Sequence, residues 1–166
     1  MIATADGEGG LDIGGIRYMM IRPDALMGLF QRLDPAQRAA AFEAIAASIL
    51  EHGGKSAASY AGHGRDAADT LIARIESTAP QIGWGNWQIS LREDGLHLTV
   101  ENSPFVAGYG LSDDPVCAPI RGMLAAVARQ IFGVDAVVDE IECAATGRTN
   151  ACRFTARLSS HALDQT

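Results

Sequence analysis

Trp87-Gln88-Ile89-Ser90-Leu91-Arg92-Glu93-Asp94-Gly95-Leu96-His97-Leu98-Thr99-Val100-Glu101 alternates apolar and polar residues on both sides of Glu93-Asp94-Gly95. Alternation at a period of two marks a half-buried strand, and an acidic residue followed by Asp-Gly has the chemistry of a tight hairpin turn. The stretch is expected to form an antiparallel hairpin, opened by the turn cluster Gly83-Trp84-Gly85-Asn86. His97 falls opposite Leu96 and Leu98 and reads as a solvent-facing strand residue.

On the C-terminal side, residues 102–114 carry glycine and proline and read as a loop. Residues 115–132 then read as a helix, capped by Asp113 or Asp114, with Ile120, Leu124, Val127 and Ile131 on one face and Gly133 at its end. Residues 134–144 and 153–158 read as two strands joined by a turn around Gly147.

On the N-terminal side, residues 16–21 read as a short strand or an apolar lead into a helix, and Arg22-Pro23-Asp24 as a helix start, followed by Leu26, Leu29, Phe30 and Leu33 at helical spacing. Asp34-Pro35 starts a second helix, with Asp34 as N-cap. It carries Phe42, Ile45, Ile49 and Leu50 on one face of residues 36–50, and Gly53-Gly54 is expected to close it. A third helix is expected over residues 66–77, carrying Leu71, Ile72 and Ile75. The order defines an α+β fold: N-terminal helices packed on a mostly antiparallel sheet with one interposed helix. Residues 1–14 read as a flexible tail and 15–160 as a single domain.

The chain has 166 residues, enough for a substantial core, and its 48% hydrophobic and 20% charged residues are a globular composition. A net charge of −7 with an isoelectric point near 4.9 argues against a nucleic-acid partner or an anionic membrane surface. No apolar run approaches the length of a membrane span, so no membrane insertion is expected. The first ten residues lack the basic-then-apolar pattern of a secretory signal, and a cytoplasmic location is expected.

Three cysteines cannot complete an internal disulfide framework, and all lie between Cys117 and Cys152. Free cysteine is ordinarily a small buried hydrophobe, and count alone favours that reading. Their clustering points instead to metal binding or thiol chemistry. Three thiolates with a carboxylate are a chemically sensible tetrahedral donor set for zinc. Cys117 is expected in the first turn of a helix, where the dipole favours a thiolate. Cys143 and Cys152 flank the turn at Gly147, and Glu140 shares the strand with Cys143. Because 140 and 143 differ by an odd number, a regular strand would point the two side chains to opposite faces. A bulge, or an end to the strand before Cys143, is required.

Pro115-Val116-Cys117, Gly122, Phe132-Gly133, Glu140, Cys143, Gly147 and Cys152-Arg153-Phe154 together resemble the 4-vinyl-reductase domain family, and in particular its version in phenol-responsive bacterial activators. Arg22-Pro23-Asp24-Ala25-Leu26 is similar to the family's opening. The resemblance spans most of the chain and is specific from about Phe105 to Phe154. It implies a structural zinc ion held by Cys117, Glu140, Cys143 and Cys152. The gap 152 − 143 = 9 is one residue longer than the family pattern, which places an extra residue in the turn.

Four protein ligands leave no open coordination position, so such a zinc is structural and no catalytic residue is implied. The resemblance also implies a fold similar to vesicle-tethering subunits, homodimerisation through the N-terminal helices, and a pocket for a small hydrophobic or aromatic molecule. Trp84, Trp87, Phe105, Tyr109, Met123 and Phe132 are the candidate lining. The leading expectation is a zinc-stabilised ligand sensor or carrier. The alternatives are a 4-vinyl reductase or accessory protein of tetrapyrrole (bacteriochlorophyll) synthesis, and a structural dimerisation subunit. No nucleophile elbow, phosphate loop or dinucleotide fingerprint supports an enzyme.

Overall fold

The computed structural model describes residues 4–5, 9–13, 16–58 and 65–158. The domain ends drawn at residues 14 and 160 lie outside the described residues. Within the segment read as a tail, β1 (Thr4–Ala5) and β2 (Leu11–Ile13) pair antiparallel with each other, and β2 pairs with β3 (Ile16–Tyr18).

Helix α1 (Pro23–Gln31) starts where Pro23 presets the first helical φ. Its expected apolar stripe is rotated: Met27 and Phe30 are buried, whereas Leu29 is 56% exposed. Helix α2 (Pro35–Ala58) begins at Asp34, whose Oδ1 accepts the Gln37 N–H at 2.8 Å as an N-cap should. It runs through Gly53-Gly54 instead of ending there. A glycine inside a helix costs only about 1 kcal/mol, and Gly53 lies against Met123, where a Cβ would come within 2.9 Å of the methionine methyl. Helix α3 (Arg65–Gln81) runs past the expected end at 77 and takes in Pro80.

The main sheet holds β4 (Asn86–Arg92), β5 (Gly95–Glu101), β6 (Ala136–Glu142) and β7 (Ala151–Leu158) in the order β4-β5-β7-β6, antiparallel throughout. The hairpin closes at Arg92↔Gly95 and runs in register to Asn86↔Glu101. Trp87, Ile89, Leu96, Leu98, Val100, Cys152, Phe154 and Ala156 are buried on one face, while His97 on the other is partly exposed and bonds Asp94 at 2.8 Å. The N–H of Ile89, on edge strand β4, donates to Glu76 Oε1 of α3 at 2.6 Å, which blunts that edge with a carboxylate.

The stretch expected as a loop contains a short helix, α4 (Pro104–Tyr109), started by Pro104 and closed by Gly110. Helix α5 (Ala118–Phe132) is the interposed helix and packs across β6 and β7 and against α2. Ile120, Leu124 and Val127 are buried as the periodicity requires, and Ile131 is half-buried. The crossing of α2 and α5 is set by Gly122, because a Cβ there would run into the Ala46 carbonyl of α2. Beside it, Arg121 pairs with Glu43 at 2.5 Å. Gly122→Ala is expected to push the helices apart and cost about 1–3 kcal/mol, as overpacking does. A lowered midpoint in urea unfolding with an unchanged slope would show this.

Candidate metal centre

Cys117 stands at the N-cap of α5, not within its first turn, and its carbonyl accepts the N–H groups of Ile120 (2.9 Å) and Arg121 (3.2 Å). Cys143 directly follows the last residue of β6, Glu142. Ala144–Thr146 then make one 3-10 turn, and Gly147, at φ 71°, turns the chain back in the left-handed conformation that glycine accepts freely. Cys152 is the second residue of β7, paired with Val100. Glu140 is paired with Phe154, so it shares the inner face.

The odd separation of Glu140 and Cys143 is resolved by a bulge. Phe154 pairs with Glu140, but Arg153 pairs with Glu142, one residue further than regular pairing allows. Ile141 and Glu142 both lie exposed, and Glu142 forms an ion pair with Arg153. Cys143 is thereby returned to the inner face beside Cys152.

Cys117, Cys143 and Cys152 are buried, and together with Glu140 they place one ligand atom each within 4.8 Å of all the others. Cys117 Sγ lies 3.6 Å from Cys152 Sγ, and Cys152 Sγ lies 4.0 Å from Cys143 Sγ. These separations are far longer than a disulfide of about 2.05 Å. They fit the edge of a tetrahedron: sulfurs about 2.3 Å from a central ion lie about 3.8 Å apart. Glu140 Oε2 accepts the Cys117 N–H at 3.2 Å, whereas buried Oε1 has no hydrogen-bond partner among the described residues. An orphaned buried carboxylate oxygen beside three thiols is the donor chemistry a cation satisfies, and these four residues could hold one.

Around them lie two further polar contacts. Ala144 N–H points at Cys152 Sγ at 3.3 Å, and Ser103 Oγ lies 3.3 Å from Cys117 Sγ. Ser103 escapes sequence reasoning, since a serine ahead of a proline at a helix start reads as a cap.

The four groups cannot all carry charge in so small and dry a space. The Cys152 thiol is pushed down to about 4 by hydrogen bonds from Cys117 and Cys143. The Cys117 thiol is pushed far up, because its proton is held in its bonds to Cys143 and Cys152 and it is buried beside Glu140. Burial, followed by the charge of Cys143, raises the Glu140 carboxyl to about 9.

The candidate lining separates into groups. Trp84, Trp87 and Phe105 come together: Phe105 meets Trp84 edge to face at 5.3 Å, and the two indoles lie 6.5 Å apart. The Trp87 indole N–H donates to the Trp84 carbonyl at 2.9 Å. Tyr109 instead joins Phe42 at 6.3 Å, and Phe42 stacks on Phe30 at 4.5 Å. Met123 faces α2 at Gly53, and Phe132 sits half-buried at the far end of α5. Trp87, Val100 and Cys152 form one cross-strand row. The aromatic cluster and the thiol cluster therefore share a sheet face, two strand spacings or about 10 Å apart along the row.

Residues 96–158, a segment that contains all four candidate ligands, match the family model of the 4-vinyl-reductase domain. The resemblance to that family holds there. By structure, the chain is similar to the phenol-responsive sensory domain of the transcription activator PoxR, crystallised with phenol. That match has a TM-score of 0.75 and 18% identity, and it covers 98% of this chain and 85% of that one. A trafficking protein particle complex subunit 3 from Naegleria fowleri, covalently bound to palmitic acid, matches with a TM-score of 0.57 and 11% identity over 83% of this chain and 95% of that one. A vinyl-4-reductase family protein from Methanocaldococcus jannaschii has a TM-score of 0.48 and 15% identity over 88% and 100%. No curated protein matches the sequence. The α+β architecture expected from the sequence is the one shared with the PoxR domain and the trafficking subunit. Among the described residues no helix is long and apolar enough to cross a membrane.

Cys117 and Glu140 both hold their protons at neutral pH, so a cation that takes all four donors must displace them. Cadmium titrated into metal-free protein is expected to release about two protons or more per ion, and its apparent affinity should rise between about pH 6 and pH 8. Calorimetry in buffers of different ionisation heat measures both.

Proposed function

We propose that the chain is a zinc-stabilised binding module for a small hydrophobic or aromatic molecule, acting as a sensor or carrier and not as a catalyst. The observation that carries the metal half of this reading is the convergence of Cys117, Glu140, Cys143 and Cys152 at tetrahedral spacing, with Glu140 Oε1 left without a partner among the described residues. Sulfur-rich donors select zinc over magnesium or calcium, and four protein ligands make the ion structural. When bound, it would cross-link the start of α5 to the β6–β7 turn.

The ligand half is supported by the Trp84–Trp87–Phe105 cluster on the same sheet face. It is supported also by the fold shared with a domain that responds to phenol. Edge-to-face aromatic surfaces suit a small aromatic ring.

Protein purified without added metal is expected to contain about one zinc per chain. Cys143→Ser should lose it, with a fall in thermal midpoint of about 10 °C, since losing a structural metal removes several kcal/mol of stability. Metal-free, fully folded wild-type protein would sink the metal reading. For the ligand, calorimetric titration with phenol should show saturable binding that weakens roughly tenfold in Trp84→Ala, the worth of one aromatic contact. An unchanged isotherm would remove this cluster from the site.

A further inference from the structure

Ser103 is the one buried polar side chain among the described residues of the core, and it is not used where its position predicts. It stands at the N-cap of α4, immediately before Pro104. A serine there ordinarily turns its hydroxyl onto the N–H of the second or third helical residue. In this structure Ser103 makes no such side-chain cap bond. Its carbonyl accepts the Ala107 N–H, and its hydroxyl is directed to Cys117 Sγ at 3.3 Å. The neighbouring backbone is held tightly. Asn102 takes φ 56°, and a Cβ on Gly85 would come within 2.9 Å of the Asn102 carbonyl oxygen.

We propose that Ser103 is a positioning residue of the metal centre, its hydroxyl donating a hydrogen bond to the Cys117 thiolate and tying α4, with Phe105, to the metal-bearing end of α5. This rests on the metal reading above. The direction of the bond follows from the chemistry. A metal-bound thiolate carries no proton, so only the serine can donate, and a hydrogen bond to a ligand sulfur lowers the energy of its lone pairs. Cys152 receives the same service from the Ala144 N–H. Outer donors of this kind orient the ligand atoms, and losing one typically costs about 10–100-fold in metal affinity. The tether also has a structural consequence. Phe105 lies two residues beyond Ser103 and packs on Trp84, so the sulfur that binds metal and the ring that walls the aromatic cluster are separated by a single short segment.

The test replaces the native ion with cobalt(II) in the full chain and reads the sulfur-to-cobalt charge-transfer band, with affinity taken by competition against a chromophoric chelator. Ser103→Ala is expected to shift the band to longer wavelength and weaken cobalt binding at least tenfold, while Ser103→Thr, which keeps the hydroxyl, restores both. Ser103→Ala protein with wild-type band and affinity would overturn the proposal, even if its thermal midpoint fell, because loss of packing alone does not move the band. Wild-type protein that takes up no cobalt and shows no charge-transfer band would overturn the metal reading itself and this proposal with it. The two failures are therefore distinguishable.

Discussion

Three thiols and a carboxylate meet in a space a few ångströms across, between the N-cap of one helix and the turn end of one hairpin. Such a meeting is unfavourable unless something balances it, because a dry site disfavours charge and like charges repel. The protonation pattern shows the conflict: Cys152 is pushed toward thiolate while Cys117 and Glu140 keep their protons. Much of the surrounding architecture can be read as what holds these groups together despite that. The bulge at Ile141–Glu142 turns Cys143 inward, the 3-10 turn and Gly147 bring Cys152 back beside it, and the Cys117 N–H pins Glu140.

The second constraint is the close approach of α2 and α5. Gly122 lets the Ala46 backbone sit against α5, and Gly53 makes room for Met123 from the other side. Each contact is possible only where a side chain is missing or small. The helix that carries Cys117 is consequently held on two faces, by α2 behind and by β6 and β7 in front. A rigid α5 is what allows the N-cap residue to be aimed to within hydrogen-bonding precision.

The aromatic cluster depends on the same sheet. Trp87 enters it by strand alternation, Trp84 by the turn after α3, and Phe105 from α4. Val100 alone lies between Trp87 and Cys152 in the cross-strand row, so the thiol cluster and the aromatic cluster occupy neighbouring parts of one sheet face.

Local rules were enough to read several features from the residues. Alternation and Asp94-Gly95 placed the β4–β5 hairpin, Asp34-Pro35 placed the start of α2, and the spacing of Ile120, Leu124 and Val127 placed the buried face of α5. These depend on contacts between residues close in sequence. The four donors were legible as a set through residue type, clustering and family resemblance, and the need for a bulge followed from the odd separation of Glu140 and Cys143. What local rules could not supply was anything set by partners far along the chain. Helix α2 continues through two glycines because α5 packs against it, Leu29 turns outward because Met27 and Phe30 take the core, and Tyr109 leaves the Trp84 cluster for Phe42. Ser103 turns from helix capping to Cys117, fourteen residues away. Each of these outcomes balances a weak local preference of about 1 kcal/mol against packing or hydrogen bonds of equal or greater worth, and only the assembled structure decides such a balance.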